Sequence, residues 1–174
     1  MSSEAKMKRN IAVLVVLAFC AVGFAQEAPI HNFLRVNEEF CTAGQPTLDQ
    51  LSKLKAEGIR TVLNLRPASE YDATDEEAKA KELGLKYFNV PITAGAIKDE
   101  QVVEFLKLTD DTEKRPMFIH CASANRVGAL WMIRRVLRDG WKSVDSENEA
   151  AKIGLTSAVL KDFALRYIET HRKN

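Results

Sequence analysis

Three short apolar runs, each set between stretches of helical spacing, constrain this chain more than any other feature. Arg60-Thr61-Val62-Leu63-Asn64-Leu65, Lys86-Tyr87-Phe88-Asn89-Val90 and Pro116-Met117-Phe118-Ile119-His120 are too short for helices and rich in β-branched or aromatic side chains. They read as buried strands. Leu34 and Val36 alternate ahead of Phe40 and add one or two further short strands before Gly44-Gln45-Pro46 breaks the pattern. Helical segments fill the gaps. Leu48, Leu51 and Leu54 follow helical spacing behind Thr47, a capping residue, and stop at Gly58. Asp72 to Leu83 reads as a helix closed by Gly84, Asp99 as the cap of a helix running to about Thr109, and Val127 to Arg138 as a helix ending at Gly140. Two more are expected near 143–153 and 156–171. Strands alternating with helices predict an α/β fold, with a central, mainly parallel sheet of four to five strands flanked by helices.

The first 25 residues read as a separate piece. Lys6, Lys8 and Arg9 precede an apolar run from Ile11 to Phe24, and Gly23 and Ala25 place small residues where a signal peptidase reads. The expectation is a secretory signal over 1–25, with a single domain over 26–174 that is exported to the periplasm or secreted and has no membrane attachment after cleavage. The apolar run is shorter than a bilayer span requires. An uncleaved anchor is one alternative, and lipidation at Cys20 another, although Phe19 is bulky for the residue before a lipidated cysteine. Beyond this segment the acidic and basic residues nearly balance, and no basic stripe alternates with aromatics, so nucleic acid is not an expected partner. Residues 26–34 read as a loose lead-in.

His120-Cys121-Ala122-Ser123-Ala124-Asn125-Arg126 joins the last predicted strand to a helix. Ligands of parallel α/β sheets sit beyond the carboxyl ends of strands, near helix N-termini. A thiol reacts as its thiolate, which a helix N-terminus and nearby cations favour. Backbone N–H groups of Ala122, Ser123, Ala124 and Asn125 can curl into an anion nest, to which the helix adds its positive end. Arg126 offers a fork of donors suited to a tetrahedral oxyanion. Cys121 and Arg126 are therefore the expected catalytic pair. His120 is expected to brace the loop, favour the thiolate and line the anion site, Ser123 to donate to the sulfur or the anion, and Asn125 to hold the loop's shape.

Together with Gly44-Gln45-Pro46, Thr61-Val62-Leu63-Asn64-Leu65-Arg66-Pro67 and Glu70, this run through Val127-Gly128 resembles the phosphatase-like domain of beta-lactamase-hydrolase-like proteins, relatives of the dual-specificity and tyrosine phosphatases. The resemblance covers roughly residues 33–155. It implies a tyrosine-phosphatase-like fold and a cysteine-dependent hydrolase that needs no cofactor. Cys121 would attack phosphorus, Arg126 and the loop amides would hold the oxygens, and water would hydrolyse the phosphocysteine. The sequence departs from that pattern in three places. Four residues, not five, separate Cys121 from Arg126, a spacing that resembles rhodanese sulfurtransferases. Val127 stands where a Ser or Thr eases thiolate departure, and Ala124 replaces a usual glycine. A left-handed backbone at Ala124 would cost about 1 kcal/mol. A sulfurtransferase with a Cys121 persulfide and a non-catalytic anion- or partner-binding domain therefore stay open. The expected partner is an unidentified phosphate- or sulfur-containing substrate.

The general acid is less legible. The loop Pro91-Ile92-Thr93-Ala94-Gly95, where the family would carry it, has no carboxylate, and Asp99 is the nearest candidate when it is not simply a helix cap. Arg66 either lines the anion site or closes its strand with an ion pair, and Glu70 can pair with Arg66 or Arg126. Cys41 reads as a core residue or as a reversible disulfide partner of Cys121. Trp131, Ile133, Val136 and Leu137 read as core, and Trp141 as packing between the last helices. Glu76-Glu77 and Arg134-Arg135 read as solvated helix faces. His31 and His171 stand alone, and no zinc-ligand spacing occurs.

Overall fold

A computed structural model describes residues 28–172, so the predicted signal at 1–25 lies outside the described residues. The strands are β1 (Leu34–Arg35), β2 (Phe40–Ala43), β3 (Thr61–Asn64), β4 (Lys86–Asn89) and β5 (Met117–His120). They form one sheet in the order β1-β2-β5-β3-β4. All neighbours are parallel except β1, which runs antiparallel to β2. Among the described residues the α-helices are α1 (Leu48–Ala56), α2 (Thr74–Glu82), α3 (Asp99–Asp110), α4 (Asn125–Leu137), α5 (Ser143–Ile153) and α6 (Ala158–His171).

The sheet separates two apolar layers because strand side chains alternate between its faces. Cys41, Ala43, Val62 and Phe118 pack against Leu51 and Leu54 of α1 and Ala80 of α2. Phe40, Leu63, Met117, Ile119 and Cys121 pack against α3, α4, α5 and α6. β5 lies between β2 and β3 with every residue buried. The loop that follows it therefore starts from a central, fully buried strand.

Local sequence accounts for most helix ends. Thr47 Oγ1 accepts from Gln50 N (3.2 Å) and Gln50 Oε1 accepts from Thr47 N (2.9 Å), a capping box at α1. Asp72 does not begin α2; it accepts from Thr74 N (3.0 Å) and Thr74 Oγ1 (2.6 Å), and the helix starts at Thr74. The predicted helix at Val127 starts two residues earlier, so that Asn125 and Arg126 belong to its first turn.

Two expected solvent faces are in fact internal. Glu76 of α2 is fully buried, on the stripe it shares with Ala80. Arg134 is buried and donates to Asp139 (2.6 Å), while Arg135 binds Glu149 of α5 through Nε (2.6 Å) and Nη2 (2.9 Å). Glu149 also accepts from Trp131 Nε1 (2.7 Å). Docking of α5 on α4 brings a carboxylate to Arg135, a tertiary effect that helical periodicity does not report. The lead-in is also less loose than expected: His31 O accepts from Gly44 N at 2.7 Å.

Candidate active site

The loop 121–124 is held from outside by its carbonyls. Ala122 O accepts from Gln45 N (3.2 Å), and Ser123 O accepts from Asn32 Nδ2 (3.1 Å). In a trans peptide the C=O and the next N–H point opposite ways. The N–H groups of Ser123 and Ala124 therefore turn away from these partners. Gly44 passes so close that a Cβ there would lie 2.7 Å from Ala122 O, which requires glycine. Ala124 has φ +65°, the left-handed conformation in which an L side chain is strained, and this reverses the chain into α4. Asn125 ties the loop to the start of α6. Its Oδ1 accepts from Thr156 N (2.8 Å) and Ser157 N (2.9 Å), and its Nδ2 donates to Ser123 Oγ (3.3 Å).

Arg126 is 7% exposed, and three of its five N–H donors are assigned. Nη1 donates to Glu70 Oε2 and to Ile92 O, and Nη2 to Glu70 Oε1, each at 2.8 Å. Glu70 and Ile92 do not take Nε–H or one Nη2–H, which lie parallel on one edge of the guanidinium, within hydrogen-bonding reach of Cys121. That edge is a ready bidentate fork for an oxyanion. Burial opposes the charge of Arg126, but Glu70 and the neighbouring Cys121 outweigh it and hold the pKa above the usual arginine range. Glu70 in turn is held below the usual carboxylate range, mainly by its hydrogen bond from Arg126, and so stays ionised.

Arg66 supports this pair rather than lining the cleft. Its Nε donates to Glu70 Oε1 (3.0 Å), its Nη1 to Gln45 Oε1 (2.9 Å), and its guanidinium lies 4.2 Å over the Tyr71 ring. Gln45 Nε2 continues to Glu76 Oε2 (2.7 Å), and Glu76 Oε1 lies 2.7 Å from His120 Nε2. A polar chain thus runs His120–Glu76–Gln45–Arg66–Glu70–Arg126 and links the two ends of the signature run. From the sequence, Gln45 belongs to a turn motif and Glu76 to a solvated helix face, not to the bracing of the site. The stripe Glu76 shares with Ala80 was the available signal.

The placement of His120 departs from the expected anion contact. It is fully buried, stacked on Phe118 with 5.4 Å between ring centroids, on the opposite face of the sheet from Cys121. Alternation along β5 imposes this, so His120 braces the loop from behind. Asp99 is not brought to the loop either. It is the first residue of α3, behind the cap Lys98; its side chain is 67% exposed, and His171 Nε2 stands 4.0 Å from it. Cys41 sits in the opposite layer from Cys121, both thiols are free, and burial pushes Cys41 up to about 12, so a disulfide between the two would have to cross the sheet.

Cys121 is fully enclosed. A cleft of about 340 Å³ opens beside the loop, lined by Ser123, Asn125 and Arg126, by Glu70, and by Thr93 of the loop before α3. Val127 is wholly buried in the core, so the position that could carry a hydroxyl beside the sulfur is apolar. Among the described residues, no group of three or more His, Cys, Asp or Glu could hold a metal ion.

A parallel α/β sheet with a cysteine-to-arginine loop between its central strand and the following helix defines a phosphatase-like domain of the dual-specificity and tyrosine phosphatase class. Residues 19–161 match the family described as DSP-PTPase phosphatase fused to NAD+ kinase, and the chain belongs to that family. It is 28% identical over 108 residues to a beta-lactamase hydrolase-like protein of Agrobacterium fabrum, which covers 60% of this chain and 25% of that protein. The chain thus spans about a quarter of the length of the curated relatives it matches. Among solved structures, it is similar to the core catalytic domain of the PP-IP phosphatase SIW14 from S. cerevisiae, with TM-score 0.69, 21% identity, and coverage of 82% of this chain and 88% of that one. It is also similar to TpbA of P. aeruginosa, with TM-score 0.65, 18% identity, and coverage of 80% and 84%. At these identities the structural likeness concerns the fold.

Proposed function

We propose that this domain is a cysteine-dependent phosphatase-like hydrolase acting on phosphate esters. The observation that carries the reading is the Nε–Nη2 edge of Arg126, left free by Glu70 and Ile92 beside Cys121. A phosphoryl group enters with two oxygens on that edge and the others toward the loop amides and the N-terminus of α4. The Cys121 sulfur lone pair forms the S–P bond as the P–O bond to the leaving group breaks, and that electron pair stays on the departing oxygen. Water then attacks phosphorus, the S–P bond breaks, and thiolate and inorganic phosphate are released.

The cleft's carboxylate, Glu70, is ionised and bound by two arginines, so it supplies no proton to the leaving oxygen. The substrates best suited are esters of acidic alcohols, such as aryl phosphates, whose oxyanions leave unaided. The N-terminal pattern at 1–25 adds the proposal that a cleaved leader precedes a single domain and that the reaction takes place after export.

The four-residue spacing and the apolar Val127 favour a second reading, a sulfurtransferase in which Cys121 carries a persulfide. One paired assay separates the two: aryl-phosphate hydrolysis and thiosulfate-to-cyanide sulfur transfer, each with wild type and Cys121→Ser. The phosphatase reading expects phosphate release that Cys121→Ser abolishes. Sulfur transfer without phosphate release establishes the second reading. Neither activity, with phosphate still bound, leaves a non-catalytic anion-binding domain.

A further inference from the structure

Resting on the anion-site reading of Cys121 and Arg126, we infer that the substrate carries its charge in a single anionic head on an uncharged body, and that the site does not select polyphosphorylated molecules. The cleft beside the loop is lined by two charged side chains, Arg126 and Glu70, which are paired to each other. Their charges cancel to first order. What remains for a ligand is the two-donor edge of Arg126 and the loop's own N–H groups, enough for one tetrahedral anion.

The next arginine is already engaged at all three of its nitrogens and does not line the cleft. Arg66 has Nε on Glu70 Oε1 (3.0 Å), Nη1 on Gln45 Oε1 (2.9 Å) and Nη2 on Glu70 O (3.3 Å), and one face of its guanidinium is covered by Tyr71. Lys161, one turn into α6 from the cleft residue Ser157, is bound to Glu147 at 2.7 Å. The rest of the lining combines hydroxyls from Ser69, Thr93 and Ser157 with apolar surface from Pro67, Ala94 and Leu160. Sites that gather polyanions do so with a field of several unpaired cations, which raises affinity and makes it strongly salt-dependent. Here the described rim offers hydrogen bonds and apolar contact, which suit a neutral body such as an aromatic ring or a sugar.

Calorimetry of the full chain carrying Cys121→Ser, titrated with phenyl phosphate and separately with inositol hexakisphosphate, tests this. Phenyl phosphate is expected to bind at least as tightly as the hexakisphosphate, and both affinities to change by less than about threefold between roughly 50 and 300 mM salt. Inhibition of wild-type aryl-phosphate hydrolysis by the hexakisphosphate gives the same comparison if the variant does not fold. Thr93→Lys, which adds a cation to an exposed rim position, is expected to tighten the hexakisphosphate about tenfold more than it tightens phenyl phosphate. Hexakisphosphate binding about tenfold tighter than phenyl phosphate, with a steep salt dependence, overturns the single-anion inference and leaves the anion site standing. Binding of neither ligand overturns both.

Discussion

Glu76 Oε1 lies 2.7 Å from His120 Nε2, with both side chains sealed from solvent between α2 and the sheet. Burial alone would raise the Glu76 carboxyl, but the close contact with His120 and the hydrogen bond from Gln45 outweigh it and hold the group below its usual 4.5. Truncating one partner of such a pair leaves the other uncompensated. Glu76→Ala is expected to lower the unfolding free energy by about 3 kcal/mol in urea titrations. The folded pKa is depressed, so at acid pH the unfolded chain binds more protons. The stabilisation is present above about pH 4.5 and is lost as pH falls through the lower folded value. Glu76→Gln should flatten the acid limb of the stability profile, and an unchanged acid limb would argue against this pairing.

Glu70 decides which edge of Arg126 faces a ligand. Its two oxygens take one hydrogen from each terminal nitrogen and leave the Nε–Nη2 edge clear. Removing the charge lets the guanidinium swing. Glu70→Gln is predicted to reduce kcat/KM for an aryl phosphate by about 10- to 100-fold, with most of the loss in kcat. A faster variant would mean instead that Glu70 competes with the substrate for Arg126.

Ala124 pays for its left-handed backbone with no gain from its methyl group beyond packing at the loop. Ala124→Gly relieves the strain and raises the unfolded chain's entropy, two effects of opposite sign. The net expectation is stabilisation of up to about 1 kcal/mol, read from the thermal midpoint. A destabilised variant would show that the methyl contact matters more than the strain.

Cys41 and Cys121 stand in opposite apolar layers of one sheet. Peptide mapping of the non-reduced protein after mild oxidation should recover them unlinked. A Cys41–Cys121 crosslinked peptide would require the sheet to open and would contradict the fold described here.

The elements and the loop were legible because each rests on local rules. The apolar runs became β3, β4 and β5, and Gly58 and Gly84 end α1 and α2 in positive-φ turns. The strain at Ala124 was expected only through the resemblance, in which a glycine usually stands at that position. The bracing of the site was not, because its members come from distant parts of the chain. Glu76 looks like one more charge in a helix rich in acidic and basic residues, and its partner His120 lies beyond β4 and α3, at the end of β5. His120 was expected at the anion because it adjoins Cys121, yet adjacency in a strand places neighbours on opposite faces. Asp99 was expected at the site from its proximity in sequence, and α3 directs it toward His171 instead.

The central claim is that the Cys121 sulfur receives a phosphoryl group positioned by the free edge of Arg126. Rapid mixing with an aryl phosphate, acid quench and mass spectrometry of the Cys121 peptide tests it most directly. The account predicts one phosphoryl group on Cys121 in the wild type and none in Cys121→Ser. A Cys121 that gains no phosphoryl group from the ester, but gains a single sulfur atom from thiosulfate, would contradict it.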